Sequence, residues 1–263
     1  MLPYCVREFL SHTGNSDIQA ITALDIARFY EWLQVRPLVR REGSLSGAMI
    51  DHYMYALRTF YSWLQSSGQI NHNPISGLQL PRLGAGERQP LTPAQVTLLF
   101  DHAKCLQERV ILHLFYSCGL RRSEAEALDI PDVSIGQCLL YVRSGKGARR
   151  RVIPLPGRAA GCLQHYYETE RQPLLQVYDA DSFMLNKAGE RLSGKSLNDM
   201  VRAIGQRAKL AEVVTPHRLR HSIATHLLKR GMDMEDVRAF LGHGCLETTQ
   251  RYAKVDASQI LAL

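Results

Sequence analysis

Leu139-Leu-Tyr-Val-Arg-Ser-Gly-Lys-Gly-Ala-Arg-Arg-Arg-Val-Ile-Pro-Leu155 is where the spacing of apolar residues changes from helical to extended. The runs 139–143 and 151–155 are short and rich in β-branched and bulky apolar residues, as strands are. Between them, Ser144-Gly-Lys-Gly147 supplies the glycines that a hairpin turn requires. The stretch predicts a small antiparallel sheet, set in a chain whose other patterns are helical. The fold class expected is mainly α, in the α+β sense. The same stretch carries Arg143, Lys146, Arg149, Arg150 and Arg151 and no acidic residue. Such a run reads either as a solvated basic loop or as a hairpin that touches phosphates. A nucleotide-binding loop is excluded, because Gly-x-x-x-x-Gly-Lys-Ser/Thr is not present and no helix follows.

Downstream of the hairpin, helices are expected over 158–170, 196–209, 216–230 and 233–241, with a short one around Tyr252. Upstream, Ser123-Glu-Ala-Glu126 has capping-box spacing and should open a short helix. The apolar run Val110-Ile-Leu-His-Leu-Phe-Tyr116 reads as a helix that stops near Gly119, and Thr92-Pro93 as a helix start. Pro81 to Pro90 holds two prolines and two glycines without hydrophobic periodicity, which marks a linker at 81–90. Before it, apolar residues recur at helical spacing at Ile50, Tyr53, Met54, Leu57, Phe60, Tyr61 and Leu64. An earlier helix is expected over 24–33, with Thr22 or Asp25 near its start. The chain thus divides into a small helical domain, 1–80, and a larger one, 91–263, that contains the sheet. A unit of about 80 residues has a marginal core.

Composition narrows the function classes. The 263 residues are 45% hydrophobic and 22% charged, with no uninterrupted apolar run of the ~18 residues that a membrane helix needs. Met1 to Leu10 lacks the basic and apolar segments of a secretion signal, so a cytoplasmic protein is expected. Cys5, Cys105, Cys118, Cys138, Cys162 and Cys245 are scattered without a Cys-x-x-Cys pair, which argues for reduced thiols over a disulfide framework or zinc ribbon. A net charge of +7 permits a polyanionic partner without establishing one.

The candidate chemistry lies in four places. Thr215-Pro-His-Arg-Leu-Arg-His221 should begin a helix with His217 in its first turn and Arg220 one turn on, a setting that favours an anion. His217 and His221 also have metal-ligand spacing, but the Glu of His-Glu-x-x-His is not there and Arg220 would repel a cation. His221 and His226 are read as structural, in the domain interior. Cys118-Gly-Leu-Arg121-Arg-Ser-Glu124 can place an arginine at a turn into a cleft. Lys146 sits in the hairpin turn, and Leu241-Gly-His243 is followed nine residues later by Tyr252.

Together, Tyr116-Ser-Cys-Gly-Leu-Arg-Arg-Ser-Glu124, Gly145-Lys-Gly147 through Val152-Ile-Pro-Leu155, His217 to His226, and Leu241 to Tyr252 resemble the active-site series of the tyrosine recombinases. This is the phage-integrase family, and the likeness is to its Xer-type members, from about Tyr4 to Tyr252. The resemblance implies Arg121 and Arg220 as a clamp on the scissile phosphate, where their planar forks would meet developing negative charge. Tyr252 would be the nucleophile and His217 its proton acceptor. His243 would bond the phosphate, and Lys146 would protonate the departing 5′-hydroxyl. Glu124 would orient the pocket or simply cap a helix. Arg149, Arg150 and Arg151 would contact the DNA backbone.

The family pattern further implies double-stranded DNA as partner, a 3′-phosphotyrosyl intermediate, and no metal or ATP. It implies a C-shaped clamp, with a core-binding N-terminal domain of SAM-like fold. A homo-tetramer, or a hetero-tetramer with a related recombinase, would exchange strands through a Holliday junction. Against that pattern the region before Tyr4 looks short. So does the tail after Tyr252, whose apolar end Ser258-Gln-Ile-Leu-Ala-Leu263 would dock on a neighbour. The rival readings are a type IB topoisomerase-like enzyme and a DNA-binding regulator that does not cut.

Overall fold

The computed structural model describes residues 2–14, 17–38, 42–81, 83, 89–143, 151–175 and 181–242. The chain forms two compact units, Met1–Arg88 and Gln89–Leu263.

In the first unit, α1 (Leu2–Thr13), α2 (Ala23–Val35) and α3 (Gly47–Ser66) pack around one core. Thr22 caps α2 by accepting from the Asp25 N–H, and the Asp25 carboxylate returns the bond to the Thr22 N–H at 2.9 Å. Helix α3 presents Ile50, Tyr53, Met54, Leu57, Tyr61 and Leu64 to the core at the expected spacing. Phe9 meets Phe29 edge-on with ring centroids 5.1 Å apart. Helix α1 turns Leu2, Cys5, Val6, Phe9 and Leu10 to the core at helical spacing, an apolar stripe that is present in the sequence although no helix was expected there. It is held partly by polar contacts, with Glu8 pairing Arg36 at 2.7 Å and accepting the Tyr53 hydroxyl.

In the second unit, α4 (Pro93–Asp101) starts at the Thr92 cap. The apolar segment α5 (Leu106–Leu112) runs on into a wider π turn at His113–Ser117. Val110, Ile111, Leu112, Leu114 and Phe115 are fully buried, so this segment is the unit's centre. Gly119 then breaks the helix in left-handed conformation, φ 58°. Helix α6 (Arg122–Glu126) begins two residues earlier than the Ser123 capping box would have it, because the Glu124 carboxylate accepts the Arg121 N–H at 2.7 Å.

A strand absent from the sequence reading, β1 (Val133–Ser134), pairs with β2 (Leu139–Val142), which pairs with β3 (Arg151–Pro154). All pairings are antiparallel, with Leu140 opposite Ile153 and Val142 opposite Arg151. Only two residues long, β1 lacks the length that periodicity needs. The chain is thus mainly helical with a small antiparallel sheet, as the sequence indicates.

Helices α7 (Gly157–His165), α8 (Gly194–Arg207), α9 (Pro216–Lys229) and α10 (Met234–Leu241) follow among the described residues of this unit. Helix α9 crosses the π turn and buries Leu219, Ile223 and Leu227. Its neighbour α10 ends at Gly242, φ 70°, which can take a left-handed C-cap without a Cβ penalty. Among the described residues no helix is long and apolar enough to cross a membrane. Of the ten residues in the expected linker, 82 and 84–88 lie outside the described residues.

Candidate active site

Arg121 is the residue before α6, held there by the turn at Gly119. A Cβ at Gly119 would stand 2.9 Å from Leu241 Cδ2 and 3.0 Å from Phe240 Cε1, so a glycine lets this turn reach the end of α10. The Arg121 guanidinium, about two-fifths exposed, donates to Glu124 Oε1 at 2.8 Å and to the Gly242 carbonyl at 3.1 Å. Arg220, on α9, is buried and donates to the carbonyls of Gly119 and Leu241. Its Nη1 lies 3.8 Å from Glu124 Oε2. Two arginines far apart in sequence therefore converge on one carboxylate and on the C-terminal carbonyls of α10. Cations are favoured at that end of a helix.

Glu124 caps the Arg121 N–H, and the same carboxylate pairs with the Arg121 guanidinium. Among the described residues a third cation joins the cluster. Arg151 was expected in the DNA-backbone run, but its side chain is buried with a two-pronged grip on Glu124, Nη1 to Oε1 and Nη2 to Oε2, each 2.7 Å. The reason is strand alternation: Arg151, Ile153 and Leu155 face inward while Val152 and Pro154 are half-exposed. That phase was readable from the sequence, although the arginine's partner was not. Arg143, counted with the same basic run, is paired with Asp129 and Asp132.

The charges in the cluster set its protonation. Burial raises the Glu124 pKa, but the Arg151 fork and charge, with the Arg121 N–H and guanidinium, outweigh it and bring the value down to about 2. Burial lowers the Arg220 pKa to about 10, and the neighbouring charge of Arg121 adds to the effect. Glu124 is an anion at any cellular pH, and among the described residues the cluster carries more positive than negative charge.

His217 lies exposed in the first turn of α9, whose Thr215 cap accepts the Arg218 N–H at 3.2 Å. His226 is buried as expected, its Nδ1 2.8 Å from the Tyr116 hydroxyl. His221 is not in the interior: one turn beyond His217, it shares that exposed side of α9. Arg218, which the sequence did not single out, is buried and bound to the Gln89 carbonyl and to Glu212. Lys146, Arg149, Arg150, His243 and Tyr252 lie outside the described residues. No group of three or more His, Cys, Asp or Glu side chains among the described residues is placed to hold a metal ion.

Residues 89–259 match the phage integrase family. The chain belongs to that family. It is similar to the tyrosine recombinase XerD of Pseudomonas aeruginosa, 32% identical over 257 residues that cover 90% of this chain and 86% of the relative. The tyrosine recombinase XerC of Chromohalobacter salexigens is 32% identical over 256 residues, covering 95% of this chain and 82% of the relative. Among solved structures, XerA recombinase matches with TM-score 0.56 and 27% identity, covering 98% of this chain and 87% of that one. The family places the chain among the Xer-like tyrosine recombinases, enzymes of site-specific DNA recombination.

Proposed function

We propose that this recombinase cuts and rejoins double-stranded DNA at a defined site through a covalent bond between Tyr252 and the 3′-phosphate. One observation carries the reading: Arg121 and Arg220 are brought together over Glu124 at the end of α10, immediately before His243. Two fixed guanidinium forks are suited to the phosphoryl oxygens, whose negative charge grows as the fifth bond to phosphorus forms.

In the reaction the Tyr252 oxygen attacks the scissile phosphorus and its proton passes to His217. The bond from phosphorus to the 5′-oxygen breaks, and Lys146 supplies the proton to that oxygen. His243 donates to a phosphoryl oxygen beside the two arginines. The phosphotyrosyl ester conserves the phosphodiester's energy, so the 5′-hydroxyl of another strand can reverse the attack without a nucleotide cofactor. Arg149 and Arg150 hold the DNA backbone. The N-terminal unit acts as the core-binding domain. Four copies, or two each with a related recombinase, assemble on DNA and exchange strands through a Holliday junction in the cytoplasm. A structurally similar protein, XerH, is recorded bound to its difH substrate after cleavage; it shares 22% identity at TM-score 0.69, covering 99% of this chain and 76% of that one.

The test is covalent capture. Nicked duplexes from the DNA flanking the gene are incubated with the protein and run on denaturing gels. A protease-sensitive, SDS-stable adduct is expected from wild type and not from Tyr252→Phe. Sequence-specific binding without an adduct would overturn strand cleavage in favour of a regulator. Adducts formed on any DNA would favour a topoisomerase.

A further inference from the structure

Arg151 has no part in the reaction just described, yet it makes the closest grip on Glu124. An ionised carboxylate offers about four lone-pair sites. Around Glu124 these are met by both prongs of Arg151 at 2.7 Å, the Arg121 guanidinium at 2.8 Å and the Arg121 N–H at 2.7 Å. Arg220 stands outside hydrogen-bond distance of the same carboxylate, at 3.8 Å. The Arg151 guanidinium also lies under the end of α10, where a Cβ on Gly242 would come 2.7 Å from Nη1 and 3.2 Å from Cζ. Arg151 therefore touches both the carboxylate and the helix end on which Arg121 and Arg220 converge.

We propose that Arg151 is a positioning residue for strand cleavage: by filling Glu124 it holds that carboxylate off Arg220 and leaves the charge of the Arg121–Arg220 pair for the scissile phosphate. The inference rests on the phosphate-clamp reading above. With Arg151 in place, Glu124 is bound by Arg151 and Arg121, and the three arginines with one carboxylate keep a surplus of positive charge. Without it, Glu124 has two unfilled lone-pair sites and a cation 3.8 Å away. Closing that gap forms a neutralised ion pair at the position where the phosphate needs a cation. Lysine can supply the charge but not the two-pronged grip, so it leaves one of those sites open.

The experiment compares adduct formation on two nicked target duplexes. One has the ordinary scissile phosphate. The other has a methylphosphonate there, in which a methyl group replaces a non-bridging oxygen and the ground-state charge is removed. Each variant is compared with wild type on the same substrate, after circular dichroism and DNA binding show that it folds. Arg151→Met is expected to slow cleavage of the phosphate roughly 100-fold, the scale of losing one preorganised donor, and of the methylphosphonate by less than about threefold. Arg151→Lys should fall between wild type and Arg151→Met, and it carries the same comparison where the methionine variant does not fold. Equal losses on the two substrates, or no loss on either, would overturn the proposal.

Arg121→Ala and Arg220→Ala separate this inference from the reading beneath it. If they too lose equally on both substrates, the phosphate clamp itself fails and the proposal falls with it. If they discriminate and the Arg151 variants do not, only the role of Arg151 is wrong.

Discussion

Replacing Glu124 by Gln keeps the shape of the side chain and removes the anion among three guanidinium groups. Two lines of reasoning give the size of the effect. Its carboxyl is brought from an ordinary 4.5 to about 2 in the fold. A shift of that size corresponds to about 3 kcal/mol of stability at neutral pH. Independently, removing one partner of a buried ion pair typically costs about 3–5 kcal/mol, because the other charge is left uncompensated. Arg151 and Arg220 are both buried, so they feel that loss, whereas the more exposed Arg121 contributes less. A residue that merely capped α6 would be worth only about 1 kcal/mol. The two roles therefore predict distinguishable numbers.

The pH dependence follows from the sign of the shift. A carboxylate with a depressed pKa stabilises the fold fully above its ordinary value of 4.5, and that contribution is lost as pH falls towards about 2. Urea unfolding of wild type and Glu124→Gln should differ by about 3 kcal/mol at neutral pH, with the gap narrowing below the ordinary carboxylate pKa. A difference near 1 kcal/mol at neutral pH would reduce Glu124 to a helix cap. A gap that does not change on acidification would refute the electrostatic argument altogether.

Two further outcomes follow from the same unit. Gly119→Ala should destabilise by about 2–4 kcal/mol in chemical unfolding, combining left-handed strain with overpacking against Leu241 and Phe240; a loss below about 0.5 kcal/mol, the ordinary surface range, would show that the turn relaxes freely. His113 is brought down to about 4 by burial and by the charge of Arg109, so the fold favours the neutral ring and loses stability as pH falls from 6.5 towards that value. His113→Gln, which can still bond Ser117, should flatten the dependence of Tm on pH in that window, and an unaltered slope would count against the assignment.

Local information was enough for much of this architecture. The α3 stripe, the Thr92-Pro93 start, the stop at Gly119 and the two main strands are each set by neighbours within a few residues, where side-chain period and backbone preference act. The order of motifs was likewise enough to name the family. Helix α1 was legible as well, through Leu2, Cys5, Val6, Phe9 and Leu10 at helical spacing, whereas strand β1, two residues long, was not. The place of β1 depends on what other segments pack against it.

The cluster shows the division most clearly. Sequence supplied Arg121 and Arg220 as candidates and offered Glu124 two roles, and strand phase alone could have placed Arg151 facing inward. Only the tertiary structure decided that Arg151 and Glu124 meet, that Arg220 stops 3.8 Å short of the same carboxylate, and that the end of α10 receives two of the arginines. A buried charge has no preferred partner written in its local sequence. Its partner is whichever opposite charge the packing of distant segments brings within reach, and the cost of burying it alone is what holds the two together.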